Sequence, residues 1–195
     1  MNMFLIYWNY QLKFNLLQQY NLTTEIQITR AELTDRDFIR SVSERTWPST
    51  YGHIISQAQI DFMMDWMYSN ESLEKQMNTG CEFYIASIKK ENEHWDAVGF
   101  CSVSPEEEDS NEIAHKLNKL YVLPEAQGTG AGKALLNKCI EVAKAAGSNS
   151  LFLQVNKLNN AYTFYLKKGF IKELEFKFDI GNGFYMDDYV MRLKI

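Results

Sequence analysis

Six consecutive residues, Gln127-Gly128-Thr129-Gly130-Ala131-Gly132, have the types and spacing to hold an anion through the backbone alone. They lie between an apolar run at 117–123 and an amphipathic run at 133–146. Strand, glycine-rich turn, helix start: that order leaves the first N–H groups of the helix without internal partners. The helix dipole adds partial positive charge at the same place. Glycines admit positive φ and let the backbone approach a ligand closely. The matching ligand is a phosphate or pyrophosphate, and its natural carrier is a cofactor.

Three pyrophosphate-binding loops compete. The phosphate loop of NTPases needs G-x-x-x-x-G-K-[ST]. Here the glycine run is too short, and Ala134 follows Lys133 where a hydroxyl is required for magnesium. The dinucleotide fingerprint needs G-x-G-x-x-G and an acidic residue about 20 positions on. Gly132 falls one residue early, and the window at 149–153 holds no acid. The pattern that fits is [Q/R]-x-x-G-x-[G/A], as Gln127, Gly130 and Gly132.

That pattern resembles the acetyl-CoA loop of the GNAT superfamily of N-acetyltransferases. Upstream, Asn118-Lys119-Leu120-Tyr121-Val122-Leu123-Pro124 is similar to the family's fourth strand and exit turn. Downstream, Leu151-Phe152-Leu153-Gln154-Val155 matches its fifth strand. The run Asn159-Asn160-Ala161-Tyr162-Thr163-Phe164-Tyr165-Leu166-Lys167-Lys168-Gly169-Phe170 resembles the signature N-x-A-x-x-F-Y-x-K-x-G-F. Three ordered motifs are far more specific than one glycine loop. The resemblance covers residues 26–195 as a single domain and leaves 1–25 as an N-terminal extension. The extension is a packed helix, a dimer arm or the product of an upstream start codon.

The elements that must position these residues follow from periodicity. Residues 26–30 read as a first strand. Thr34 or Asp35 caps a helix over 36–46, which Trp47-Pro48-Ser49-Thr50-Tyr51-Gly52 then interrupts. Ser56 caps a second helix carrying Ile60, Met63, Met64 and Met67 at helical spacing. Residues 82–89 and 96–103 alternate as two strands of a hairpin, and 105–111 reads as an acidic loop. A strand at 112–123, a helix at 133–146 ended by Gly147, and the strand at 151–155 make a βαβ unit with a parallel pair. A shorter helix at 158–168 ends at Gly169, and strands at 173–180 and 184–193 pair through Gly181-Asn182-Gly183. By counting, the class is α/β (α+β). The resemblance selects the GNAT acyl-CoA N-acyltransferase fold, a mixed central sheet with helices on both faces.

Composition narrows the partners. A chain of 195 residues with net charge −5 and no basic stripe does not favour nucleic acid. The apolar run at residues 3–8 is too short to span a membrane and lacks the flanks of a signal peptide. Cys81, Cys101 and Cys139 are dispersed and odd in number, so neither a disulfide framework nor a metal site is expected. Reduced thiols fit a cytoplasmic protein. The tripeptides beginning at Asn21 and Asn70 match the glycosylation pattern, which arises readily by chance. A homodimer is compatible with the sequence, which shows no interface.

The resemblance implies acetyl-CoA as donor, no metal, and transfer of acetyl to an amine of a small molecule or a protein, in a ternary complex. It implies that the backbones of Leu120, Tyr121 and Val122 contact pantetheine and that Val122 N–H faces the thioester carbonyl. The backbone from Gln127 through Gly128, Thr129, Gly130, Ala131 and Gly132 to Lys133 holds the pyrophosphate. Tyr165 stands near the sulfur as general acid, where a phenol of pKa about 10 meets a thiolate of about 8.5. Asn159, with Asn160 as the neighbouring candidate, contacts the cofactor or caps its helix. Lys168 contacts the cofactor or complements a helix dipole. Glu112, His115 and Glu82 are the carboxylates and imidazole near the fourth strand, and none stands out as base. Trp47 and Tyr51 line a cation-binding acceptor pocket, on a resemblance of this region to bacterial spermine/spermidine acetyltransferases. The rival reading is an acyl-CoA sensor of the same fold without catalysis.

Overall fold

The computed structural model describes residues 24–107 and 113–195. Seven strands form one sheet: β1 (Ile26–Arg30), β2 (Glu82–Lys89), β3 (Trp95–Glu107), β4 (Ile113–Val122), β5 (Ser150–Asn156), β6 (Ile171–Gly181) and β7 (Phe184–Lys194). Their spatial order is β1-β2-β3-β4-β5-β7-β6. Only β4 and β5 are parallel; the other neighbours are antiparallel. Among the described residues five α-helices accompany them: α1 (Arg36–Tyr51), α2 (Gln57–Tyr68), α3 (Asn70–Asn78), α4 (Ala131–Ala145) and α5 (Ala161–Lys167).

The alternation of β2 shows how the sheet divides two cores. Phe83 and Ile85 pack with Ile39 and Val42 of α1, Ile60 and Met63 of α2, and Leu73 of α3. Tyr84 and Ala86 face the other way, toward Leu135, Leu136, Cys139 and Ala143 of α4 and Tyr165 of α5. Side chains on a strand alternate between faces, so one strand serves both layers. Helices therefore cover both faces, as the mixed-sheet reading expects.

Four local expectations are corrected. The first helix does not stop at 46: it runs through Pro48 to Tyr51, and Gly52 N donates to Pro48 O at 2.9 Å. A proline inside a helix costs about 3 kcal/mol. The gain here is that Trp47 and Tyr51, four residues apart, share one face with ring centroids 4.6 Å apart. The third helix, α3, was not expected; Ser69 caps it by accepting from Ser72 N, and Leu73 is its buried anchor. Asn70 thus begins a helix. Strand β3 extends through Pro105 to Glu107, into the span read as an acidic loop, because β4 pairs with it as far as Ile113. Helix α5 begins only at Ala161, after Asn159 Oδ1 has accepted from Ala161 N at 2.9 Å. The remainder of that loop, Glu112, and the extension through residue 23 with Asn21 lie outside the described residues.

Strands β4 and β5 pair over four positions only, from Ala114↔Ser150 to Leu117↔Leu153. Beyond Leu117 they part. Strand β4 continues to Val122 still held by β3, with Tyr121 opposite Phe100 and Val122 opposite Gly99. Gly99 permits this close approach: a Cβ there would stand 2.5 Å from Tyr121 O and 3.0 Å from Val122 Cα.

Candidate active site

The parting of β4 and β5 opens a cleft of about 790 Å³. One wall is the edge of β4 from Asn118 to Val122, which no strand pairs on the β5 side. An unpaired edge is a template for any extended chain carrying amides. The cleft runs to the N-terminus of α4. There Gly128 and Gly130 have φ of +84° and +98°, values that side-chain-bearing residues rarely adopt. Thr129 Oγ1 donates to Ala126 O at 2.7 Å, so the threonine holds the turn. The N-cap Gly130 has no side chain to cap α4, Ala131 N donates to Thr129 Oγ1 at 3.4 Å, and Ala134 N donates to Gly130 O. The N–H groups of Gly132 and Lys133 precede that bond, in the first helical turn where donors have no internal acceptors. An anion at this end meets both free donors and the positive end of the dipole.

Leu120, Tyr121, Val122, Gln127, Gly128, Gly130, Gly132, Lys133 and Asn159 all border the cleft, as do Asn160 and Tyr165. Ala131 is buried beneath the loop. Tyr165 is 8% exposed and packs edge-on against Phe164 and Phe170, with centroids 5.2 and 5.5 Å away. Burial pushes its phenol above the ordinary value, so it stays protonated. Asn159 Oδ1 holds the turn into α5 by accepting from Ala161 N, and its side chain stands near Tyr51.

The far side of β4 is built from side chains. Tyr51 Oη and Tyr121 Oη lie 3.3 Å apart, closing the cleft toward α1. Trp47 packs against Tyr51, Tyr68 and Tyr121. Behind this group lies an inner hollow of about 170 Å³ lined by Trp47, Tyr51, Met63, Met67, Lys119 and Asp188, among others. It shares Tyr51, Leu117, Asn118, Lys119, Tyr121 and Gln154 with the cleft. An outer hollow of about 500 Å³ continues from it past Trp66, Gln76, Phe176 and Phe178.

Asp188, on β7, was not singled out from the sequence. It is 4% exposed and sits opposite Asn156 of β5, whose nearby side chain favours the ionised form. Burial raises its pKa to about 6, and neighbouring Asp187 adds to the effect. A signal existed: Asp188 occupies the inward register of Phe184, Met186 and Val190, where the alternation calls for an apolar residue.

The bases weighed from sequence lie elsewhere. His115 is not a solvated surface group: it is 5% exposed, with Nδ1 2.6 Å from Ser148 Oγ, and burial lowers its pKa. Glu82 accepts from Tyr84 Oη at 2.7 Å and pairs with Arg30 at 3.3 Å. Neither borders the cleft or the hollows. Lys168 stands over the Phe164 ring at 5.6 Å.

Among the described residues, no group of three metal-ligating side chains occurs, and no helix is long and apolar enough to cross a membrane.

A splayed parallel pair, a glycine turn at a helix start and a buried tyrosine border one cleft. Residues 39–170 match the family model described as the acetyltransferase (GNAT) family. The chain belongs to that family and is an acetyl-CoA-dependent N-acetyltransferase. It is similar to the uncharacterized N-acetyltransferase YuaI of Bacillus subtilis, 28% identical over 140 residues, 72% of this chain and 77% of that one. It is also 28% identical over 153 residues to the Spermidine N(1)-acetyltransferase of Thermoplasma acidophilum, 74% of this chain and 88% of that one. Among solved structures, the PaiA N-acetyltransferase of Thermoplasma acidophilum in complex with coenzyme A superposes with a TM-score of 0.68. Its identity is 25%, over 88% of this chain and 99% of that one.

Proposed function

We propose that this protein transfers acetyl from acetyl-CoA directly to a primary amine that enters from the hollows behind Tyr121. The observation that carries the reading is that two kinds of wall meet at shared residues, Tyr51, Lys119 and Tyr121 among them. The cleft offers free backbone donors and an unpaired strand edge, and the hollow beyond offers buried polar side chains. A CoA-bound relative of the same fold supports acetyl-CoA as the donor.

In this scheme the pyrophosphate rests on the 127–133 backbone and pantetheine extends along Leu120, Tyr121 and Val122. A backbone N–H of that edge donates to the thioester oxygen as it becomes an oxyanion. The amine approaches from the Tyr51–Tyr121 side. An alkylammonium of pKa about 10.4 must lose a proton before attack. Asp188, with its raised pKa and its place in the inner hollow, is the carboxylate that accepts it. Nitrogen then attacks the thioester carbon, the C–S bond breaks, and the second amine proton is lost as the thiolate leaves. Tyr165, held protonated, donates a hydrogen bond to that sulfur. Full transfer from so weak an acid to a thiolate of pKa about 8.5 is uphill, so its main effect is electrostatic stabilisation of the leaving group. The net products are an amide, CoA thiol and one proton.

The acceptor side also bears on relatives. A spermidine acetyltransferase is among them, and Trp47 and Tyr51 provide aromatic faces of the kind that attract cations. Calorimetric titration with acetyl-CoA, with CoA, ATP and NADH as controls, followed by thiol release over an amine panel, tests the proposal. Tight acetyl-CoA binding with amine-dependent release supports it. Tight binding without release for any amine would return the acyl-CoA sensor to first place, and ATP or NADH binding in place of CoA would sink the cleft assignment.

A further inference from the structure

Charge distinguishes the acceptor passage from what a polyamine needs. Across the cleft and both hollows, Asp188 is the only carboxylate among the described lining residues. Apart from Lys133 at the glycine-turn end of the cleft, two lysines line these spaces with it. Lys119 borders all three spaces and Lys116 borders both hollows. Every lining residue of the outer hollow is neutral except these two lysines.

Neither lysine has a described carboxylate oxygen within 4.0 Å, although Lys116 is near enough to Asp188 to favour its ionised form. Lys89, Lys90, Lys138, Lys157 and Lys172 each stand within 4.0 Å of a carboxylate oxygen. Lys116 and Lys119 form no ion pair with any described residue. Lys119 is 5% exposed, donates to Gln76 Oε1, and lies over the rings of Tyr68 and Phe83 at 5.5 and 5.7 Å. An amide oxygen and two ring faces do not neutralise a buried ammonium. Burial lowers its pKa to about 8, with the nearby charge of Lys116 acting in the same direction. The neighbouring Cys81 thiol offers no counter-charge, because burial pushes its own pKa up. A desolvated cation at the wall of a passage gains most from an incoming anion.

We infer that the acceptor is a zwitterionic amine. Its amine faces Asp188, and an anionic group, carboxylate or phosphate, is held by Lys119 with Lys116 behind it. This rests on the amine-acetylation reading above and names its substrate class. The same walls act against a polycation such as spermidine, whose distal ammonium groups would enter beside two unpaired lysines. The aromatic faces of Trp47 and Tyr51 then serve the carbon skeleton and the single ammonium.

The test compares matched acceptors on the full-length protein: glycine, β-alanine and 4-aminobutyrate for carboxylates, phosphoethanolamine for phosphate, ethanolamine and glycinamide as neutral controls, and putrescine and spermidine as polycations. The best zwitterion is expected to exceed its neutral control in kcat/KM by about tenfold or more, the worth of one charge-assisted contact. The carboxylate and phosphate arms tell the two anions apart. Lys119→Met should remove most of that preference by raising KM for the zwitterion, with acetyl-CoA affinity within about twofold as the sign of an intact fold. Spermidine or putrescine outperforming every zwitterion overturns the inference while leaving amine acetylation intact. If no amine is turned over, acetylation itself fails. Calorimetry on the protein–CoA complex then still decides the charge question, since binding of neither β-alanine nor phosphoethanolamine overturns it too.

Discussion

The two sides of β4 solve different problems with different materials. Toward β5 the wall is backbone: a strand edge without a neighbour and a glycine turn that leaves helix N–H groups open. Toward α1 and α2 the wall is side chains, with Tyr51, Tyr121, Lys119 and Asp188 all buried or nearly so. A backbone wall binds what every donor molecule shares, amides and phosphates, and needs no charged residue. A side-chain wall selects one acceptor, and it does so by keeping charges in a poor solvent. Its cost shows in the shifted acidities, with Asp188 raised to about 6 and Lys119 lowered to about 8. The proposed donor side carries its polarity in the backbone and lacks a carboxylate, whereas the proposed acceptor side holds buried charges of both signs.

The sharpest way to break this division is at the glycine turn. Gly130→Asp places a carboxylate in the anion site and a side chain at φ +98°. Acetyl-CoA affinity should fall by about a hundredfold or more, roughly 3 kcal/mol, in a calorimetric titration of folded protein. Unchanged affinity would mean that the pyrophosphate binds elsewhere.

A change on the acceptor side should leave donor binding alone. Asp188→Asn is expected to lower kcat/KM for the amine by about 10² while acetyl-CoA affinity stays within about twofold. The wild-type profile of kcat/KM should rise with pH through about 6 as Asp188 ionises, and the variant should lack that limb. A variant that keeps both the rate and the limb removes Asp188 as base.

Tyr165 lies at the junction of the two sides, so its effect should be smaller and purely kinetic. Tyr165→Phe is expected to reduce kcat by about 10- to 100-fold, with donor affinity nearly unchanged. A normal kcat would assign the tyrosine to packing against Phe164 and Phe170.

The smallest effect concerns stability. Asp188 holds its proton more tightly when folded, at about 6 against 3.8 for the free side chain. Between those values the native state binds more protons than the unfolded one, so stability falls as pH rises through the window. At pH 7.5 the whole penalty is present, and Asp188→Asn should raise stability by about 1–3 kcal/mol in urea titrations. At pH 3 wild type and variant should converge. A variant less stable than wild type at pH 7.5 would show that the carboxylate is compensated by contacts stronger than that of the Asn156 side chain.

Legibility follows the same division. The glycine turn, β1 and β2 were readable to the residue, because local backbone conformation and alternation depend on neighbours in sequence. Ser56 announced α2 for the same reason, and its hydroxyl accepts from Gln59 N. Pro48 misled because the helix it interrupts is held by Trp47 and Tyr51 packing on residues far along the chain. Helix α3 was missed because one buried leucine in nine residues gives little periodicity. Asp188 looked like any acid beside another in a strand. Its burial depends on β5 and on α1, more than 30 and 130 residues away in sequence.

The sequence by itself determined the half proposed to hold the donor: a strand, a glycine turn and a helix start, whose backbone conformation glycines write locally. Tertiary structure alone decided the acceptor half. Whether Lys119 and Asp188 are solvated surface charges or desolvated ones facing a passage is fixed by what packs over them, and desolvation is a property of the assembled fold.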